Sequence, residues 1–151
     1  MSSKEPEVPS LAFLLKRAQH SFRTRVDADL RPLGLTAPQF AVVAAIATDA
    51  GISNAELARL AFVTPQTMQG ILLNLERAGL LSRSPHPEHG RILRTTLTEK
   101  GRRTLKRARG RVDAIERLIA AAVGAENRAL FAEILSRCAD RLGGDEDGGF
   151  G

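Results

Sequence analysis

Residues 53–101 read SNAELARLAFVTPQTMQGILLNLERAGLLSRSPHPEHGRILRTTLTEKG, and the order of signals within them decides the fold. Ser53 and Glu56 have capping-box spacing, in which a hydroxyl and a carboxylate satisfy each other's free backbone N–H groups. They open a short helix, SNAELARLA, and Phe62-Val63 turns it. Thr64 then serves as N-cap, with Pro65 at the first helical position, where its missing N–H costs nothing. The second helix runs to Ala78, is closed by Gly79, and carries Met68, Ile71, Leu72 and Leu75 on its inner face. After Gly79 the helical period is lost. Leu80–Ser84 and Ile92–Leu97 read as short strands, and residues 85–91, with two prolines and a glycine, read as the loop of a hairpin.

Upstream, Thr36 and Gln39 repeat the capping-box spacing before the apolar run Phe40–Ala47, which Ala50-Gly51 breaks. Three capped helix starts so close together predict a compact tri-helical unit. Leu11, Leu15, Ala18, Phe22, Val26 and Leu30 recur at helical spacing, and Pro32 and Gly34 stop that helix. Downstream, Thr98 caps a long helix to Val123 with Leu105, Ala108, Val112, Ile115, Ile119 and Ala122 on one face. At a rise of about 1.5 Å per residue it spans roughly 39 Å, longer than a small lobe needs. A last helix over 125–142 carries Leu130, Ile134, Leu135 and Cys138 on its apolar side, where the cysteine reads as a packing residue. Residues 1–10 read as a flexible arm, and the acidic, Gly-rich residues 143–151 as a disordered tail.

Composition narrows the function classes. Six Phe with no Trp or Tyr predict an aliphatic core. A formal charge of +5 favours a polyanionic partner. A membrane surface is disfavoured, because the apolar run Phe40–Ala47 is far too short to span a bilayer. The polar N-terminus lacks a signal-peptide core and a single cysteine suits a reducing compartment, so a cytoplasmic location is expected.

A helix-turn-helix lays its second helix in the major groove and reaches base edges from that helix's N-terminal residues. Thr64, Gln66, Thr67, Gln69 and Asn74 are therefore the candidate base-reading residues, since Gln and Asn can pair bidentately with adenine and Thr can meet a thymine methyl or a phosphate. Arg83, Arg91 and Arg94 in the hairpin, followed by Lys100, Arg102, Arg103, Lys106, Arg107, Arg109 and Arg111, supply phosphate affinity; some of the helical arginines are an ordinary solvated face. Arg91, beside Gly90, is suited to a narrow minor groove, and His89 stands next to it.

The succession LTAPQF, SNAELARLAFVTPQTMQGILLNLERAGLLSR, a proline-bearing loop and LTEKGR resembles the MarR family of winged helix-turn-helix regulators over about residues 11–142. Leu75-Glu76-Arg77-Ala78-Gly79-Leu80 and Leu97-Thr98-Glu99-Lys100-Gly101 are the most specific pieces. The resemblance implies a mainly α fold, a winged helix-turn-helix with a two-stranded β-hairpin wing and N- and C-terminal dimerisation helices. It divides the chain into a DNA-binding lobe at 35–97 and dimerisation helices at 11–31 and 98–142. It implies a homodimer on a palindromic double-stranded DNA operator, and a small-ligand pocket between lobe and dimer region, which His20 and Arg23 on the first helix would border. At the wing tip the family usually has Asp-x-Arg, whereas this chain has His89-Gly90-Arg91. The arginine is kept and its acidic partner is missing.

The expected function is a sequence-specific DNA-binding repressor relieved by a small-molecule effector; the alternative is a winged-helix protein-interaction module that does not read DNA. No nucleophile–base pair or Gly-rich phosphate loop marks an enzyme, and no cofactor is expected. His86, Glu88 and His89 are close in sequence but too few for an ordinary zinc site, so no metal is expected.

Overall fold

The computed structural model describes residues 8–90 and 93–143, which fall into two units divided after Asp113. The first begins with α1 (Leu11–Leu30), whose N-cap Ser10 accepts the N–H of Phe13 at 3.1 Å. A 3-10 turn, Arg31–Leu33, and left-handed Gly34 redirect the chain. α2 (Ala37–Thr48) starts at a capping box made in both directions between Thr36 and Gln39. Asp27 of α1 adds a second cap there, accepting the Ala37 N–H at 2.8 Å. α3 (Asn54–Ala61) and α4 (Pro65–Arg77) start at Ser53 and Thr64 as the sequence predicts. The described residues then form one antiparallel pair, β1 (Leu81–Pro85) and β2 (Leu93–Leu97), with Leu81 opposite Leu97, before α5 (Glu99–Val123).

The core is aliphatic. Leu30, Val42, Val43, Met68 and Leu75 are its largest fully buried side chains, joined by Ile46, Leu57, Leu72, Leu80, Leu81, Leu105 and Ala108. α4 thus buries Met68, Leu72 and Leu75 at helical spacing and leaves the opposite face to solvent.

β1 starts one residue later than the sequence suggests, because Leu80 is used elsewhere. Its N–H closes back on the carbonyl of Leu75 at 3.0 Å, and its carbonyl accepts the Thr98 N–H at 3.0 Å. The Thr98 hydroxyl donates to the carbonyl of Gly79 and accepts the Gly101 N–H at 3.0 Å, while Lys100 Nζ donates to the carbonyl of Ala78 at 2.9 Å. These bonds clamp the end of α4 to the start of α5. The clamp demands glycine at position 101, where a Cβ would lie 2.1 Å from the Leu80 oxygen.

The second unit holds the end of α5, a 3-10 turn (Ala125–Asn127) and α6 (Arg128–Gly143). α6 starts three residues later than expected, because Gly124, at φ 84 and ψ 142, leads into a turn closed by Asn127 N–H on its carbonyl at 3.2 Å. None of its residues is buried. Leu130, Phe131, Ile134 and Leu135 are exposed, and so is Cys138, which the sequence reading had packed away. Among the described residues no single helix is long and apolar enough to cross a membrane.

Two glycines separate the backbone demands of the clamp from ordinary helix propensity. Gly101→Ala is expected to lower unfolding free energy by about 3 kcal/mol, the upper end of overpacking costs. Gly70→Ala, with open space around its added methyl, is expected to raise it by about 1 kcal/mol. Urea titration of both variants checks the pair of signs.

Candidate nucleic-acid interface

α4 is mounted on α3 by its buried face and by a polar tie, Asn54 Nδ2 to the carbonyl of Pro65 at 3.3 Å. Thr64 is spent locally. Its Oγ1 accepts the Thr67 N–H at 3.1 Å and donates to Thr67 Oγ1 at 3.0 Å. Thr67 keeps its own hydroxyl proton for an outside acceptor. Gln66, Gln69 and Asn74 are exposed, and their side-chain amides make no hydrogen bond to another described residue. The outer face therefore carries amide donors and acceptors that the fold does not use.

Gln69 differs from Gln66 in its surroundings. It lines a concavity of about 700 Å³ beside the hairpin, with Asn54, Arg83, His86 and Arg94. Arg83 is half-buried there, and its Nε lies 3.8 Å from Glu76, an ion pair too long to be a hydrogen bond. That Nε and the Oδ1 of Asn54 are buried without a hydrogen-bond partner among the described residues. Arg83 is thus a recessed cation rather than the free one its sequence position suggested. In the loop, His86 Nδ1 accepts the N–H groups of Glu88 and His89 at 3.1 and 3.3 Å. This shapes the start of the loop and leaves His89 exposed, its ring centroid 5.3 Å from that of His86. Arg91 lies outside the described residues. Among those residues no group of three His, Cys, Asp or Glu is placed to hold a metal.

The basic run on α5 divides by use. Arg102 donates to the carbonyl of Leu97 at 3.0 Å and to Glu99 at 2.8 Å, holding the Glu99 carboxyl below its usual value. Arg111 donates to the carbonyl of Asp29 at 3.1 Å. With Lys100 in the clamp, these cations serve the fold. Lys106 and Arg109 have no carboxylate partner among the described residues. With Arg102 they rim a groove of about 580 Å³ whose floor is Ile46, Ala47, Leu97 and Leu105. Sequence reasoning counted these cations towards phosphate binding and missed the groove, since its floor comes from three separate elements.

His20 and Arg23 are exposed on α1. Arg23 Nε pairs with Asp27 Oδ2 at 3.0 Å. Burial pushes the Asp27 carboxyl up, but the Ala37 N–H and the Arg23 guanidinium outweigh it and hold the group below its ordinary value. The Ser53 N–H and hydroxyl lower the Glu56 carboxyl in the same way.

Comparison with known proteins places this geometry. The MarR family model matches residues 33–92. The HTH-type transcriptional repressor Rv2887 of Mycobacterium tuberculosis (strain ATCC 25618 / H37Rv) is 40% identical over 135 residues, 89% of this chain and 94% of that protein. Its structure in complex with DNA superposes with a TM-score of 0.68 at 36% identity, covering 88% of this chain and 100% of that one. Its complex with salicylic acid gives 0.71 at 38% identity, over 89% and 99%. The transcriptional repressor CouR bound to a 23-mer DNA duplex gives 0.76 at 30% identity, over 86% and 92%.

Two measurements follow from the site. Gln66→Ala is expected to cost about 1–3 kcal/mol on preferred DNA and little on random DNA; equal losses on both, by fluorescence anisotropy, would assign Gln66 to the backbone or the fold. Asp27→Asn is expected to lose about 1 kcal/mol of stability at neutral pH, a modest value for a partly exposed cap. A lowered folded-state pKa stabilises above the unfolded value and is lost as pH falls through the folded one. The difference between wild type and Asp27→Asn should therefore vanish only below the usual carboxylate range, as read by thermal melts across pH.

Proposed function

The chain belongs to the MarR family of transcription regulators, and from that premise we propose that it is a homodimeric, sequence-specific DNA-binding repressor released by a small organic acid. The observation that carries this reading is the outer face of α4, where exposed Gln66, Thr67, Gln69 and Asn74 stand over the buried Met68, Leu72 and Leu75. Polar side chains that the fold leaves unspent, on the second helix of a helix-turn-helix, are suited to base edges in a major groove. Thr64 orders the helix start that presents them. Arg83, His89 and Arg91 act from the wing side, with Arg91 as the minor-groove cation.

Residues 35–97 form the DNA-binding lobe, and residues 11–31 and 98–142 supply the dimerisation helices. Exposed Leu11, Phe13, Leu15 and Phe22 on α1, and Leu130, Phe131, Ile134 and Leu135 on α6, support a second copy as their cover. Helices in proteins draw most of their stability from packing an apolar face, and a second copy would supply that packing for α6. Such a dimer presents two α4 helices to a palindrome with half-sites about one helical turn apart. The effector is an aromatic acid, as salicylic acid is in complex with Rv2887. The groove rimmed by Lys106 and Arg109 over an apolar floor fits that class, with a carboxylate on the cations and a ring on the floor. His20 and Arg23 remain candidates for the same ligand from α1. The protein acts in the cytoplasm, where the chromosome is, and repression by occupancy requires no catalytic step.

Dimerisation and DNA binding are tested together by placing charge on the exposed face of α6. The double variant Leu130→Glu, Ile134→Glu is expected to sediment as a monomer and to bind a palindromic operator at least about a hundredfold more weakly, while binding an isolated half-site as wild type does. A variant that stays dimeric at full affinity would remove α6 from the interface. Wild-type affinity that ignores both salt and DNA sequence would favour the protein-interaction module instead.

A further inference from the structure

We propose that Phe62, in the turn between α3 and α4, is a DNA-contacting residue whose ring packs on the 5-methyl group of a thymine at the edge of the half-site; the proposal rests on the DNA-binding reading of α4. Phe62 is the C-cap of α3, at φ 55 and ψ 43. Among the described residues it is the one non-glycine residue with positive φ. A left-handed backbone crowds the Cβ of any L-residue, so local folding would favour Gly or Asn here. Burial does not compensate, because Phe62 is 95% exposed. A bulky apolar residue that is strained in its backbone and bare in solvent has no folding reason to be phenylalanine.

Its setting suits a contact made on binding. The Phe62 N–H closes on the carbonyls of Ala58 and Arg59, Val63 N–H on that of Ala58 at 3.0 Å, and Asn54 on that of Pro65. The corner is held rigidly, and a ring with two rotatable bonds loses little freedom when it docks. Thr64, where the groove-facing helix begins, is two residues on, at most about 7 Å along the chain. That is within reach of the base pairs offered to Gln66 and Thr67. The ring carries no charge for a phosphate. The apolar group that the major groove exposes is the thymine methyl, which distinguishes T·A from the other pairs.

The test pairs protein and DNA deletions of the same contact. Wild type, Phe62→Gly, Phe62→Asn and Phe62→Leu are measured on the operator enriched from random DNA and on versions in which each thymine is singly replaced by uracil. Expected are unchanged dimerisation and a melting temperature at or above wild type for the Gly and Asn variants, with affinity about fivefold lower. The Leu variant should keep most of the affinity. At one thymine, uracil should cost wild type about the same factor and cost the Gly and Asn variants nothing. The proposal is overturned by variants that bind like wild type, by losses additive with uracil at every position, or by a change in oligomeric state, which would make the ring a contact between copies. A wild type with no preferred operator would instead overturn the DNA-binding reading, and this proposal with it.

Discussion

The carbonyl of Leu80 lies against the Thr98 N–H and the bare Cα of Gly101, and the geometry of the rest of the lobe depends on that contact. It joins two points 18 and 21 residues apart in sequence, closing the hairpin at its base and docking the end of α4 on the start of α5. Because α4 is held there and tied to α3 at its other end, its rotation is set. Met68, Leu72 and Leu75 must face the core, and the amides of Gln66 and Asn74 must face out. A side chain at position 101 would part the two helices before it altered any residue of the outer face.

The same economy governs charge. A chain with a formal net charge of +5 invites the view that every cation serves a polyanion. Lys100, Arg102 and Arg111 instead donate to backbone carbonyls, and Arg83 is drawn in towards Glu76. Among the cations left for a ligand, two groups stand at concavities: Lys106 and Arg109 at one groove, and Arg83 and Arg94 at another. Long-range attraction to DNA needs only the net charge, but orientation needs the cations whose hydrogen bonds are not already used.

Features that depend on neighbours in sequence were legible from the sequence. The boxes at Thr36–Gln39 and Ser53–Glu56, the Thr64-Pro65 start and the Gly79 stop are satisfied within a turn, and each formed where its spacing indicated. The differences lie where a partner that the motif spacing does not announce decides. Leu80 left the strand because Thr98 takes its carbonyl. α6 began late because Gly124 and Asn127 close a turn first. Asp27 joins Arg23 to the start of α2, a link that needs the Ala37 N–H ten residues on. Phe62 gave no signal at all, since a turn dipeptide reveals neither its φ nor its exposure. Gln66 and Asn74 were found because helical spacing alone puts them opposite the apolar stripe; the groove under Lys106 could not be, for its floor comes from α2, β2 and α5.

On this reading α4 meets base edges from a two-fold symmetric protein. Selection of bound duplexes from random DNA by the purified protein, at about 0.15 M salt, tests it directly, since non-specific phosphate binding is weak there. Enrichment of one pseudo-palindrome with half-sites centred about 10 base pairs apart is expected. A bound pool with no common sequence, or one with a single unrepeated motif, would contradict it.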